Sequence, residues 1–191
     1  MYDYGYDAPS ILVYASWAVF AVTWMIAALF VKRTVERSAG WGRLFLWLVA
    51  PMLIWRMSRS RLLGMGWEWT PTPSSEWLAA LIVLLGLAVC LWARLALGGN
   101  WSGAVTLKQD HELIERGPYH YVRHPIYTGF LLMAFGTAAL HGRAAEFVFV
   151  GLIFLGFWFK LRAEEELLTR HFPEAYPQYR RRVKALIPYV L

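Results

Sequence analysis

From Ser10 to Val31 the chain runs without a single charged side chain. A helix rises about 1.5 Å per residue and a bilayer's hydrocarbon core is about 30 Å thick, so about 20 apolar residues are enough to cross it. A second run of the same length, Glu76 to Leu97, carries only Arg94 as a charge beyond its first residue. A third, Arg43 to Trp55, is shorter and contains Pro51, which removes a helical hydrogen bond; a kinked span and a re-entrant segment both fit it. The last apolar block, Pro125 to Leu161, is too long for one crossing and is interrupted at His141-Gly142-Arg143. It reads as a tight helical hairpin. Small residues in both arms, Gly129, Ala134, Gly136 and Ala138 in one with Gly151 and Gly156 in the other, predict that the arms pack on each other. The expected fold class is all-α, a polytopic integral membrane protein of about five transmembrane helices.

Composition agrees. Apolar residues make up 58% of the 191 and charged residues 17%, against about 45–50% and 25% in soluble domains. Many of the 11 Trp, 10 Tyr and 11 Phe stand near the ends of the apolar runs, where amphipathic rings favour the headgroups. The net charge of +6 is densest at Arg180, Arg181, Arg182 and Lys184. No nucleic-acid motif accompanies it, so the expected partner is the anionic face of the membrane lipids rather than nucleic acid. The one cysteine, Cys90, excludes an intramolecular disulfide and a cysteine-based metal cluster and reads as a packing residue; no metal is expected. Asp3 and Asp7 replace the basic start of a cleavable signal, and the first run is long enough to remain as an anchor.

With five alternating spans, 15 of the 19 Lys and Arg fall on one side, which places the N-terminus outside and the C-terminus and active site in the cytoplasm. For a bacterial chain the membrane is the inner one. Arg56, Arg59 and Arg61 fall on the other side and keep a four-span arrangement open. No linker or repeat divides the chain, so one membrane domain, residues 1–191, is expected, with N-terminal spans over 1–97 and a catalytic half over 98–191.

Polar residues are sparse until Lys108, after which Lys108 to Tyr127 crowds together three tyrosines, three histidines and two arginines. Gly117-Pro118 favours a turn, and Pro125 suits the first turn of a helix, which leaves Arg123 and His124 at a helix N-terminus. Such an end, with a guanidinium and an imidazole beside it, suits a carboxylate or phosphate; headgroup anchoring is the competing reading. The second polar cluster, Arg162 with Glu164, Glu165 and Glu166, follows the last apolar run. Three acids near a helix C-terminus are opposed by its dipole unless the helix continues or a cation pairs with them. Lys160 with Glu164 and Arg162 with Glu166 are spaced for internal pairing, and a bound cation is the functional alternative.

The stretch Gly117 to Gly129, with its Arg123-His124-Pro125-Ile126-Tyr127-Thr128-Gly129 core, is followed by Glu164-Glu165-Glu166-Leu167-Leu168 and by Phe172-Pro173-Glu174-Ala175-Tyr176-Pro177-Gln178-Tyr179. In order and spacing these resemble the isoprenylcysteine carboxyl methyltransferase family. The resemblance covers about residues 100–190 and departs at Pro173, where the family commonly has Gly. It implies a helical membrane fold with no Rossmann domain and S-adenosylmethionine held between the last two spans and the C-terminal segment. By matching position, His111, Glu112, Leu113, Ile114, Tyr119, His124, Pro125 and Tyr127 would line the cofactor pocket, and Glu164 or Glu165 would contact the cofactor. Arg162, or Lys160 in a shifted register, would face the substrate, and Arg123 is the other candidate for holding its carboxylate.

A carboxylate is already a nucleophile at neutral pH, so methyl transfer to it needs positioning rather than a base. The expected partner is a lipophilic small molecule or lipidated substrate whose tail enters between helices. The competing readings are a membrane sterol or steroid reductase using NADPH, a phospholipid amine N-methyltransferase, and a non-enzymatic scaffold or transporter. The oligomeric state is not legible.

Overall fold

The computed structural model describes residues 7–29, 67–98 and 113–191, and the backbone of 34–37 and 106–108. The expected third run, Arg43 to Trp55, the cluster Arg56, Arg59 and Arg61, and His111 and Glu112 lie outside the described residues. Helix α1 spans Ala8–Ala28, α2 Pro73–Leu97, α3 Pro125–His141, α4 Ala144–His171 and α5 Ala175–Arg182, with a 3-10 turn over Gly117–His120. Strands β1 (Thr34–Arg37) and β2 (Thr106–Lys108) form one antiparallel ribbon, a small addition to an otherwise helical architecture. Helices α1, α2 and α4 are each long and apolar enough to cross a membrane, and α3 is a shorter apolar helix. The chain is an integral membrane protein.

The first two spans begin a little before the expected Ser10 and Glu76 because polar caps precede them. Asp7 accepts from the Ser10 N–H at 3.0 Å, while Thr72 and Ser75 cap each other reciprocally in front of Glu76, each satisfying amides the helix leaves open.

The hairpin is present, and Gly142 forms its corner in the left-handed region at φ +65, where a side chain is disfavoured. The corner is stapled to the segment before α2: Trp69 N–H donates to Gly142 O at 2.9 Å and Ala144 N–H to Trp67 O at 3.1 Å.

The small residues of α3 serve a different partner from the expected one. A Cβ on Gly129 would lie 2.6 Å from the Gly86 carbonyl, and one on Gly136 2.8 Å from the Ala79 carbonyl, whereas a Cβ on Gly151 would meet nothing within 4 Å. The close approach is therefore between α3 and α2. Gly151 lies exposed on α4 instead.

Around that seam lies a core of Val13, Ala79, Ala80, Val83, Leu87, Cys90, Met133 and Leu140. Cys90 is a packing residue, as expected. Helix α1 joins through aromatic side chains: Trp17 and Phe20 both pack edge-on against Phe130, and the Trp17 indole donates to Thr137 at 3.0 Å. Trp17→Phe, which removes that donor, should lower stability by about 1 kcal/mol in detergent unfolding; an unchanged midpoint would show that the bond contributes nothing.

Buried Arg94 is a cap rather than a mid-membrane charge. Its guanidinium donates to Gly98 O at the end of its own helix and, at 2.8 Å, to Ala27 O at the end of α1, where carbonyls lack helical partners. At the opposite end, His141 shares hydrogen bonds with Tyr14 at 3.1 Å and Glu146 at 2.7 Å.

Candidate active site

The Gly-Pro turn works as the sequence requires. Gly117 has φ +63, and a Cβ there would press on the Trp92 indole at 3.2 Å, so the turn both reverses the chain and seats it on α2. The following residues pair with the C-terminal segment through a parallel bridge between Val122 and Lys184. Arg123 N–H donates to Lys184 O at 2.8 Å, His124 N–H to Ala185 O at 3.0 Å, and the Thr128 hydroxyl to Leu186 O at 2.7 Å.

Pro125 is at the start of α3 and His124 is its N-cap, as predicted. The amides of Arg123 and His124 are already occupied by the C-terminal strap, so they do not form the open anion cradle expected of this helix end.

Helix α4 continues to His171, so Glu164, Glu165 and Glu166 stand more than a turn before its end, and each has a cationic neighbour. Glu165, 4% exposed, is held by Arg123 through Nε at 2.8 Å and Nη2 at 2.7 Å, by His124 Nε2 at 3.2 Å, and by Arg180 Nε at 3.4 Å on its other oxygen. Arg123 also donates to the Val183 and Arg180 carbonyls.

Glu164 points to another face of α4. It accepts from the Tyr127 hydroxyl at 2.6 Å and lies 3.9 Å from Lys160. His124 Nδ1 reaches it at 3.6 Å, so one imidazole stands between two carboxylates. Glu166 pairs with Arg170 rather than with the expected Arg162. The Tyr127 ring lies parallel to Phe157 at 4.4 Å and to His124 at 5.4 Å, with Lys160 Nζ 5.2 Å from its centroid.

A cleft of about 610 Å³ opens beside this network, within the range of small-molecule sites. Its apolar wall is Trp158, Leu161 and Ala185, and its charged wall includes Arg123, Arg162, Glu165 and Arg180. The Arg162 guanidinium lies 5.0 Å from the Trp158 ring. Arg123, Arg162 and Glu165 of the candidates thus face the cleft, whereas Tyr119, His124, Pro125, Tyr127, Glu164 and Lys160 do not line it. Leu113 packs on a separate cluster of Tyr176, Tyr179 and Val183, and Ile114 is half-buried nearby in sequence.

Two contributors escaped the sequence reading. Trp158 stands one turn before Arg162 and shares its helix face, a spacing that identifies it once Arg162 is suspected. Arg180 belongs to a basic stretch, and only tertiary contact distinguishes it from Arg181. Tyr179 fastens the site from behind, donating to Tyr119 O at 2.6 Å. Burial pushes the Tyr176 and Tyr179 phenols well above the usual range, so they stay neutral. Tyr179→Phe, which orphans a buried carbonyl, should cost about 1–3 kcal/mol in detergent unfolding; no change would place that carbonyl in contact with water.

Residues 78–170 match the model of the isoprenylcysteine carboxyl methyltransferase (ICMT) family. The match covers 93 of the 191 residues, a little under half of the chain. The matched region starts earlier than the expected residue 100 and takes in α2, whose glycine seam positions α3; it stops short of Phe172 to Tyr179.

Among curated relatives, the protein-S-isoprenylcysteine O-methyltransferase of Schizosaccharomyces pombe is 36% identical over 51% of this chain and 43% of its own length. The enzyme of the same name from Saccharomyces cerevisiae is 33% identical over 59% of this chain and 48% of its own. The match thus spans a little under half the length of these relatives. A solved eukaryotic intramembrane Ras methyltransferase, ICMT, superposes with a TM-score of 0.56 over 75% of this chain and 52% of its own, at 24% identity. That likeness establishes the shared helical membrane fold.

Proposed function

We propose that this chain is a member of the ICMT family and transfers the methyl group of S-adenosylmethionine to the carboxylate of a lipophilic, isoprenylated substrate. The observation that carries the reading is the cleft, where a wall of Trp158, Leu161 and Ala185 meets a wall of arginines and glutamates. It lies where α4 leaves its apolar stretch: Ala144 to Leu161 is long enough to span, and Arg162 to His171 extends about 15 Å further. A greasy tail and a water-soluble cofactor reach such a place from different phases. The family match favours this reading over the sterol reductase and the phospholipid N-methyltransferase. The distribution of Lys and Arg supports a cytoplasmic cleft.

The network suggests a division of labour. Arg123 is committed to Glu165 and to two carbonyls, so its role is to position the wall. Tyr127, His124 and Glu164 brace the same wall from behind.

Arg180 is 59% exposed at its side chain and holds only one oxygen of Glu165. Its guanidinium would hold the cofactor's carboxylate, and Glu165 would accept from the cofactor's amino group.

Arg162 is the group facing the cleft that is suited to hold one oxygen of the acceptor carboxylate, leaving the other for in-line attack. Bound S-adenosylmethionine would supply the methyl group on a sulfonium; its transfer to the carboxylate oxygen would break the carbon–sulfur bond, release a neutral thioether and require no proton movement.

The test is a methylation assay with labelled S-adenosylmethionine and a farnesylated cysteine derivative, scored as base-labile methyl ester. Arg162→Ala should reduce turnover by about 100-fold, the scale of lost positioning, with cofactor affinity retained. Full activity in that variant would remove Arg162 from the mechanism, and no ester from folded wild-type protein would overturn the substrate assignment.

A further inference from the structure

After α5 the chain turns back toward the membrane. Ala185 and Leu186 pack with Leu161, and Tyr127, Leu131, Phe154 and Trp158 surround them. Phe154 precedes Leu161 by two helical turns, about 10 Å deeper along the span. The segment then closes on itself: the N–H groups of Val190 and Leu191 donate to Ile187 O, each at 3.1 Å, and those of Leu186 and Ile187 donate to Leu191 O at 2.7 and 2.8 Å. Tyr189, at the tip, is held at φ 64, an uncommon conformation for a bulky residue.

This ordered turn aims apolar side chains outward, with Tyr189 90% and Val190 71% exposed and Ile187 beside them. An aqueous surface gives no reason for that arrangement, whereas a membrane interface does. Exposed Arg181 and Lys184 lie just before it. Arg180 and Arg182 are paired with Glu165 and Glu115, but Arg181 and Lys184 have no carboxylate partner among the described residues.

We propose that the segment from Arg181 to Val190 is an interfacial anchor for the anionic leaflet. Tyr189 and Val190 seat at the boundary of headgroups and acyl chains, and Arg181 and Lys184 hold the phosphate of an anionic phospholipid. Charge complementarity and continuity with the membrane-facing surface of α4 select lipid over a protein partner.

Two measurements on the full chain test it. A nitroxide on Val190→Cys, in a Cys90→Ala background, is read in vesicles of phosphatidylcholine with a third of the lipid replaced by phosphatidylglycerol. Greater collision with oxygen than with an aqueous nickel complex is expected, and the reverse would overturn the anchor.

Protein in micelles containing both lipids is then examined by native mass spectrometry. Each basic residue at an anionic surface is worth roughly a factor of five, so Arg181→Ala with Lys184→Ala should weaken the preference for phosphatidylglycerol about 30-fold. Both residues are exposed, so the fold persists; an unchanged preference would overturn the headgroup assignment.

Discussion

Arg123→Ala should lower stability in detergent by about 3–5 kcal/mol, because it leaves Glu165 buried with its principal counter-charge removed. The side chains are only 8% and 6% exposed, so water cannot replace the guanidinium. Arg123 also donates to the Arg180 and Val183 carbonyls, and its loss loosens the strap on the α3 entrance. The double variant Arg123→Met, Glu165→Leu removes both charges and should recover most of the loss, since apolar replacement of a buried pair is often neutral. Methyl transfer should be abolished in Arg123→Ala and should not return in the double variant. Comparing unfolding midpoints of the two variants checks the claim: equal loss in both would mean that the carbonyl bonds, and not the ion pair, set the stability.

Gly86→Ala should be nearly as damaging to turnover for a different reason. Its Cβ would sit 2.5 Å from the Gly129 carbonyl and 2.8 Å from the Met133 amide, and backbone cannot swing aside as a flexible side chain can. Overpacking of this kind costs about 1–3 kcal/mol. The larger effect is on position, because pushing α3 off α2 displaces Arg123 and His124 at its start. An ångström of misplacement is worth about 100-fold in rate. Gly151→Ala is the control: nothing lies within 4 Å of its Cβ, and a helical Gly→Ala exchange should raise stability by up to about 1 kcal/mol. Turnover and unfolding measured on both variants decide the matter; equal behaviour would show that the glycine seam does not position the site.

Length and unbroken apolar character made the spans legible, because the bilayer demands about 20 apolar residues whatever they later touch. Pro125 and Gly142 likewise revealed helix edges through their own backbone chemistry. Partner choice was not legible. Gly129 and Gly136 announced a close approach, but two apolar helices competed for it, and only tertiary packing assigned α2.

The candidate site divided in the same way. Arg123, Arg162 and Glu165 were recognisable and do meet at one cleft. That adjacent Glu164 and Glu165 face different partners follows from the 100° step of a helix. That Arg123 is consumed by Glu165, and that Arg180 rather than Arg181 completes the group, depends on where residues about 60 positions away fold back.

Calorimetric titration of the detergent-purified protein with S-adenosylmethionine and S-adenosylhomocysteine, with Arg180→Ala alongside, tests the central claim most directly. The account predicts micromolar binding of both ligands by the wild-type protein and at least a tenfold loss in Arg180→Ala, whose exposed side chain leaves the fold intact. Absence of binding of either ligand to protein shown to be folded would contradict it.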